Sequence, residues 1–224
     1  MTENAARSPE FRVGFVPGVT PGKWLRIWEQ RMPDSPLVAS LAPEDEAESL
    51  VRSGDLDMCF VRLPVDREGL HLIPLYAEVP VVVLPKEHVL TLLDEVSTED
   101  LADEIVHQVS SDLSAKQAIE TVAAGTGVVT VPMSVARLHH RKDVVSRPVT
   151  DLPETRVGLA WLKENDDPRV ETFIGVVRGR TERSSRDLAA DRKSDPSPER
   201  RATPSGQSAG SRAGRRGGRR RKRR

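Results

Sequence analysis

The chain reads as an α/β protein, because apolar strand-like runs alternate with short amphipathic helices, the order that builds a helix-covered parallel sheet. Two helix-turn-strand units carry this expectation. In residues 114–132, Ser114 and Gln117 have capping-box spacing, and Ile119, Val122 and Ala123 recur at helical spacing. Gly125 suits a left-handed helix end, and the β-branched Val128, Val129 and Val131 form a buried-type strand stopped by Pro132. Residues 37–64 echo the unit: a strand over 37–41, a helix face of Ala47, Leu50 and Val51, a Ser53-Gly54-Asp55 turn, and a strand over 56–61.

Ahead of both lies residues 11–18, a strand that runs into the glycine turn Pro17-Gly18. Thr20 is placed to cap the next helix, with Pro21 at its first position. Trp24, Ile27, Trp28 and Met32 give that helix a core-facing stripe. Near the end of the folded part, Val170, Phe173, Ile174 and Val177 mark one face of a helix over 167–177.

With these passages in view, the chain resembles the effector-binding (substrate-binding) domain of LysR-type transcriptional regulators. The opening strand 13–18 with its helix, the run Leu-Val-Arg-Ser-Gly-Asp-Leu-Asp-Met-Cys-Phe-Val at 50–61, and residues 122–132 carry the likeness. Pro-Leu-Tyr-Ala-Glu-Val-Pro-Val-Val-Val-Leu-Pro-Lys-Glu-His at 74–88 is similar to the family's crossover strand. The resemblance implies a two-lobed type 2 periplasmic-binding-protein-like fold, with residues 11–78 and 164–178 as first lobe and 79–163 as second. Strands 79–84 and 156–162 would be its hinge, and Trp161 would pack between the lobes. It further implies a small-molecule effector in the cleft and side-by-side homodimers. The family sets a winged helix-turn-helix ahead of this domain, whereas residues 1–10 precede the first strand here, so the chain is expected to lack its own DNA-reading head. Residues 107–114 are shorter than the family pattern, so a shortened second lobe is expected.

The formal net charge of zero is a cancellation. From Arg178 onward there are 17 Lys and Arg against 5 Asp and Glu, leaving 17 against 29 before it. Residues 179–224 hold almost no large apolar side chains and are expected to be disordered, as are residues 1–10. Arg212, Arg215, Arg216, Arg219, Arg220, Arg221, Lys222, Arg223 and Arg224 form a run without an acid, suited to sequence-independent contact with the phosphates of DNA or RNA. A solubility tail, or an arm folded onto the acidic body, is the plainer reading of the same run. The single cysteine excludes an internal disulfide. No apolar run approaches the roughly 20 residues of a membrane span, and the polar start lacks a signal peptide's core. A cytoplasmic protein without membrane partners is expected.

Ligands of such folds gather at the carboxyl ends of strands, beside helix N-termini. That rule selects Pro17, Gly18, Val19 and Thr20 after the first strand, Glu44 after the second, and Arg62 after the third. From the second lobe, residues 108–114 and the turn holding Gly125 and Thr126 are candidates to face the cleft. Ordinary turns and caps are the competing reading of all these positions. By resemblance, Gly18 and Glu44 stand where family members often carry an effector-contacting hydroxyl, and Glu44 would repel a carboxylate effector. Cys59 reads as a small buried hydrophobe, His139 and His140 point to different helix faces, and Ser110-Ser111-Asp112 lacks a nucleophile-elbow frame. No catalytic set, metal site or cofactor motif stands out, so a non-enzyme is expected. The leading reading is effector binding linked to transcriptional regulation. The alternative is a non-enzymatic interaction protein whose cleft is lost and whose basic tail docks on nucleic acid or an acidic partner. An intracellular solute-binding protein ranks third.

Overall fold

A computed structural model describes residues 10–110 and 112–180. The segments 1–9 and 181–224, with the arginine-rich run 212–224, lie outside the described residues, as do the expectations placed on them.

The first sheet is built by β1 (Phe11–Phe15), β2 (Leu37–Leu41), β3 (Met58–Arg62), β4 (Leu70–Glu78) and β9 (Thr155–Leu162), in the spatial order β2-β1-β3-β9-β4. Helices α1 (Gly22–Arg31) and α2 (Ala47–Arg52) carry the chain from β1 to β2 and from β2 to β3. Such crossovers make β1 parallel to both neighbours, with Val13 opposite Ala39 and Met58. β9 breaks the expected all-parallel order, lying antiparallel to β3 and to β4, with Leu159 opposite Phe60 and Ile73. It enters this sheet straight from the second lobe, without a crossover helix to turn it round.

The second sheet contains β5 (Pro80–Pro85), β6 (Val106–His107), β7 (Val128–Pro132) and β8 (Val144–Pro148), in the order β6-β7-β5-β8. Here β5 is antiparallel to β7 and β8, and only β6 runs parallel to β7. Two connections join the sheets. Outbound, β4 ends at Glu78 and β5 starts at Pro80; the return is residues 149–154, between β8 and β9.

Phe11 stacks on Trp28 at 5.2 Å between ring centroids, and Trp24 stacks on Phe60 at 4.9 Å. Phe173, from α5 (Pro168–Val177), meets Phe11, Trp28 and Phe60 edge-on, so α1 and α5 share one face of the first sheet. The stripe predicted for α1 is therefore the core contact. Its start is corrected: the helix begins at Gly22 with Pro21 as N-cap, and Thr20 is exposed and makes no cap bond. The Pro21 carbonyl already accepts from the amides of Trp24 and Leu25, which leaves Thr20 one residue too early.

In the second lobe α3 (Ala115–Ala123) and α4 (Met133–Leu138) cover one face of the sheet. Val81 and Val83 pack there with Ile119, Val122 and Val135, while Val82 and Leu84 pack on the other face with Val96, Leu101 and Val149. Burial on both faces explains the unbroken apolar run of β5. Ser114 and Gln117 do form the predicted capping box, and Gly125 (φ 85°) takes the left-handed conformation past the end of α3. Trp161 is corrected: it lies near the far end of β9, beside His71 at 5.3 Å, and packs within the first lobe. Six strand residues beyond Thr155, it stands about 20 Å from the crossing.

Candidate functional site

The carboxyl ends of β1, β2 and β3 all open into one cleft of ≈ 760 Å³ between the two sheets. From the first lobe it is lined by Pro17, Pro43, Glu44, Asp45, Ala47, Glu48 and residues 61–65. Facing them are Val109, Ser110, residues 114–116, Thr130, Val131, Pro132, Val135 and His139, with Thr155 at the return connection.

Arg62 is the hub of the first-lobe wall. Being the last residue of β3, it points its side chain past the sheet edge, yet that side chain is only 4% exposed. Its Nε donates to Glu78 at 3.0 Å, its Nη1 to the Glu44 carboxylate, and its Nη2 to the Pro17 carbonyl at 2.9 Å and to Ser134 Oγ at 3.4 Å. Glu78 is itself buried, with its side chain 5% exposed, at the point where β4 hands over to β5. A buried guanidinium needs this compensation, since removing an ion from water without a partner costs several kcal/mol. The arrangement ties three strand ends of the first lobe to the outbound crossing and to the first turn of α4 in the second lobe.

On the facing wall, the α3 capping box engages the amides of Ser114 and Gln117. Among the described residues, the amides of Ala115 and Lys116 have no internal acceptor, as the first turn of a helix requires. His139 closes this wall, and burial, followed by the Lys116 charge, lowers its pKa from the usual value, against a smaller opposing effect of Glu120. Cys59 does not line the cleft; it is wholly buried in the first-lobe core, and burial pushes its thiol up to about 12, which leaves it without nucleophilic character at neutral pH. Among the described residues, no three His, Cys, Asp or Glu come together as a metal site.

Of the residues selected from sequence, the structure brings Pro17, Glu44 and Arg62 together at the cleft. Gly18 (φ 88°) sits beside them against Ser134, but does not line the cleft; a Cβ there would meet Ser134 Oγ at 2.5 Å. Val19 is buried in the core and Thr20 faces solvent. Gly125 and Thr126 are corrected as cleft residues: they stand at the α3–β7 turn, where the Thr126 carbonyl contacts His107 Nε2 at 2.8 Å. β7 runs from that turn toward the cleft, so the strand's end, Thr130 to Pro132, lines the cleft and its beginning does not. Lys116, Thr130, Ser134 and His139 went unselected. The sequence marks this wall through the loop 108–114, which reaches the cleft at Val109, Ser110 and Ser114, whereas Lys116, Thr130 and His139 carry no local signal of their place.

Two sheets joined by paired crossings, with a cleft at strand ends, define a two-lobed ligand-binding module. A family model described as "LysR substrate binding domain" matches residues 4–113 and 105–182, and the chain belongs to that family. It is 25% identical over 203 residues to the Hca operon transcriptional activator HcaR of Escherichia coli, covering 76% of this chain and 68% of that protein. It is 22% identical over 180 residues to the HTH-type transcriptional regulator AlsR of Bacillus subtilis, covering 68% of this chain and 59% of the relative. Among solved structures, the reduced regulatory domain of OxyR from Pseudomonas aeruginosa superposes with a TM-score of 0.61 at 22% identity, over 75% of this chain and 97% of that one. The BenM effector binding domain with its effector benzoate gives a TM-score of 0.64 at 17% identity, over 84% and 96%. These likenesses establish the fold as the type 2 periplasmic-binding-protein-like one. Among the described residues no helix is long and apolar enough to cross a membrane.

Proposed function

We propose that this chain binds a small-molecule effector between its two lobes and acts, as a non-enzyme, in transcriptional regulation inside the cell. The observation that carries this reading is the ≈ 760 Å³ cleft at the converging strand ends, a size within the usual range of small-ligand sites. Its lining mixes aliphatic side chains (Val61, Val131, Val135) with a few polar groups at fixed positions, the composition that gives both affinity and orientation. A ligand bridging the walls would favour the closed arrangement, and its leverage equals its difference in affinity for closed and open forms. By the family resemblance, the domain would pair with a second copy through the first lobe. The run 212–224 would add a sequence-independent contact to nucleic-acid phosphates; this rests on nine basic residues in thirteen positions and no acid.

The test is a thermal-shift screen of the full chain against small acids, amino acids and polyamines. A cleft ligand at a hundredfold excess over its Kd adds about 2.7 kcal/mol of apparent stability. At least one chemical class should raise the Tm, and Ala115→Trp, which fills the cleft from the α3 wall, should abolish the shift. A screen in which no class moves the Tm would overturn this reading in favour of an interaction protein working through its basic tail.

A further inference from the structure

We infer that the cleft takes a dipolar aliphatic ligand, an amino-carboxylate type of molecule whose cation meets the first-lobe wall at Asp45 and Glu44 and whose anion meets Lys116 on the second. This rests on the effector-cleft reading above and names the ligand class.

The first-lobe wall has no cation to offer an incoming carboxylate. Arg62 already spends four of its five N–H donors on Glu78, Glu44, the Pro17 carbonyl and Ser134. Its charge faces two carboxylates, so Glu44 occupies the place a ligand anion would need. What the wall does present is acidic. Glu44 keeps half of its side chain exposed at the cleft, and exposed Asp45 beside it has no hydrogen bond or ion pair among the described residues.

The opposite wall has the complementary charge. Lys116 lines the cleft and makes no ion pair or side-chain hydrogen bond among the described residues, and its own amide and that of Ala115 lack internal acceptors. His139 stands on the same wall and feels the Lys116 charge. A plain carboxylate is therefore drawn to one wall and repelled by the other, as a plain amine is in reverse, while a ligand with both groups satisfies both. The skeleton between them is aliphatic: apart from the His139 imidazole, no aromatic side chain among the described residues lines the cleft, whose apolar lining is valine, alanine, leucine and proline.

Calorimetric titration of the full chain with straight-chain ω-amino acids, from β-alanine to aminohexanoate, tests this against each parent carboxylate and each parent amine. One amino acid should bind at least about tenfold more tightly than either parent, a gap of about 1.4 kcal/mol. Asp45→Asn should reduce its affinity to that of the parent carboxylate, and Lys116→Gln to that of the parent amine. The inference is overturned if a carboxylate or an amine binds as tightly as its amino acid, or if no member of the series binds. In the last case the broader screen separates the two readings. A hit of other chemistry preserves the effector cleft, and no hit removes both.

Discussion

Arg62 shows how much of this molecule depends on one side chain. Its guanidinium neutralises Glu78, whose side chain is nearly as buried as its own, and fixes the Pro17 turn. Breaking such a pair costs more than forming it gains, because the remaining charge is left buried and unpaired. Arg62→Met should therefore lower unfolding stability by about 3–5 kcal/mol in urea titrations. The double variant Arg62→Met, Glu78→Gln should recover a large part of that loss, since neither position then holds an uncompensated charge. Equal stabilities for the single and double variants would show that the pair is not the cause. The exposed pair Arg141–Asp143 offers a contrast: both side chains are more than 40% exposed and solvent screens them, so its contribution to stability is small.

At the scale of elements, helix α5 is started by Asp167, whose carboxylate accepts from the Arg169 amide at 2.9 Å and pairs with the Arg169 guanidinium. It ends at Gly179 (φ 69°), with the Gly179 and Arg180 amides returning to Val176 and Gly175. The Arg169 side chain, bonded to the Asp167 carboxylate, holds its pKa below the usual 3.8. That stabilisation is complete above the unfolded-state pKa and is lost as pH falls through the lower folded value. Asp167→Ala should cost about 1 kcal/mol at neutral pH, shrinking toward nothing in strong acid, as followed by urea midpoints across the acid range. Elements of this kind were legible in the sequence because their signals are local: capping spacing at Ser114 and Gln117, the α1 stripe, and the β-branched run of β7. The position of β9 was not. Its pairing of Ala160 with Cys59 joins residues about a hundred positions apart, and periodicity carries no trace of a partner that distant. The cleft divides the same way. Pro17, Glu44 and Arg62 follow from strand ends in the first lobe, whereas Lys116 and His139 become neighbours only once β7 and α3 are set against it.

For the whole molecule, the question is what sets the angle between the lobes, and the Gly18–Ser134 contact is part of the answer. Gly18 belongs to the turn after β1, and Ser134 to the first turn of α4, where the Met133 amide also donates to the Val79 carbonyl at the outbound crossing. The glycine is required twice, by its positive φ of 88° and by the closeness of the other lobe, whose Ser134 Oγ lies 2.5 Å from where a Cβ would stand. Gly54 separates the two causes, for it has a similar φ of 77° with nothing within 4 Å of a Cβ. Gly54→Ala should thus report backbone strain alone, about 1 kcal/mol. Gly18→Ala carries the same strain plus a collision: turning the Ser134 hydroxyl away relieves the 2.5 Å contact at the expense of its bond from Arg62, while the 3.1 Å approaches to Ser134 Cβ and its carbonyl carbon remain and press the lobes or the Pro17 turn apart. We expect it to destabilise by about 1–3 kcal/mol more than Gly54→Ala, and to enlarge the solution radius of gyration where Gly54→Ala leaves it unchanged. Removing the opposing side chain with Ser134→Gly in the Gly18→Ala background should restore most of the extra loss. If the two alanine variants instead match in urea midpoint and in scattering, the contact does not hold the lobes, and the interlobe angle is set by the two crossings alone.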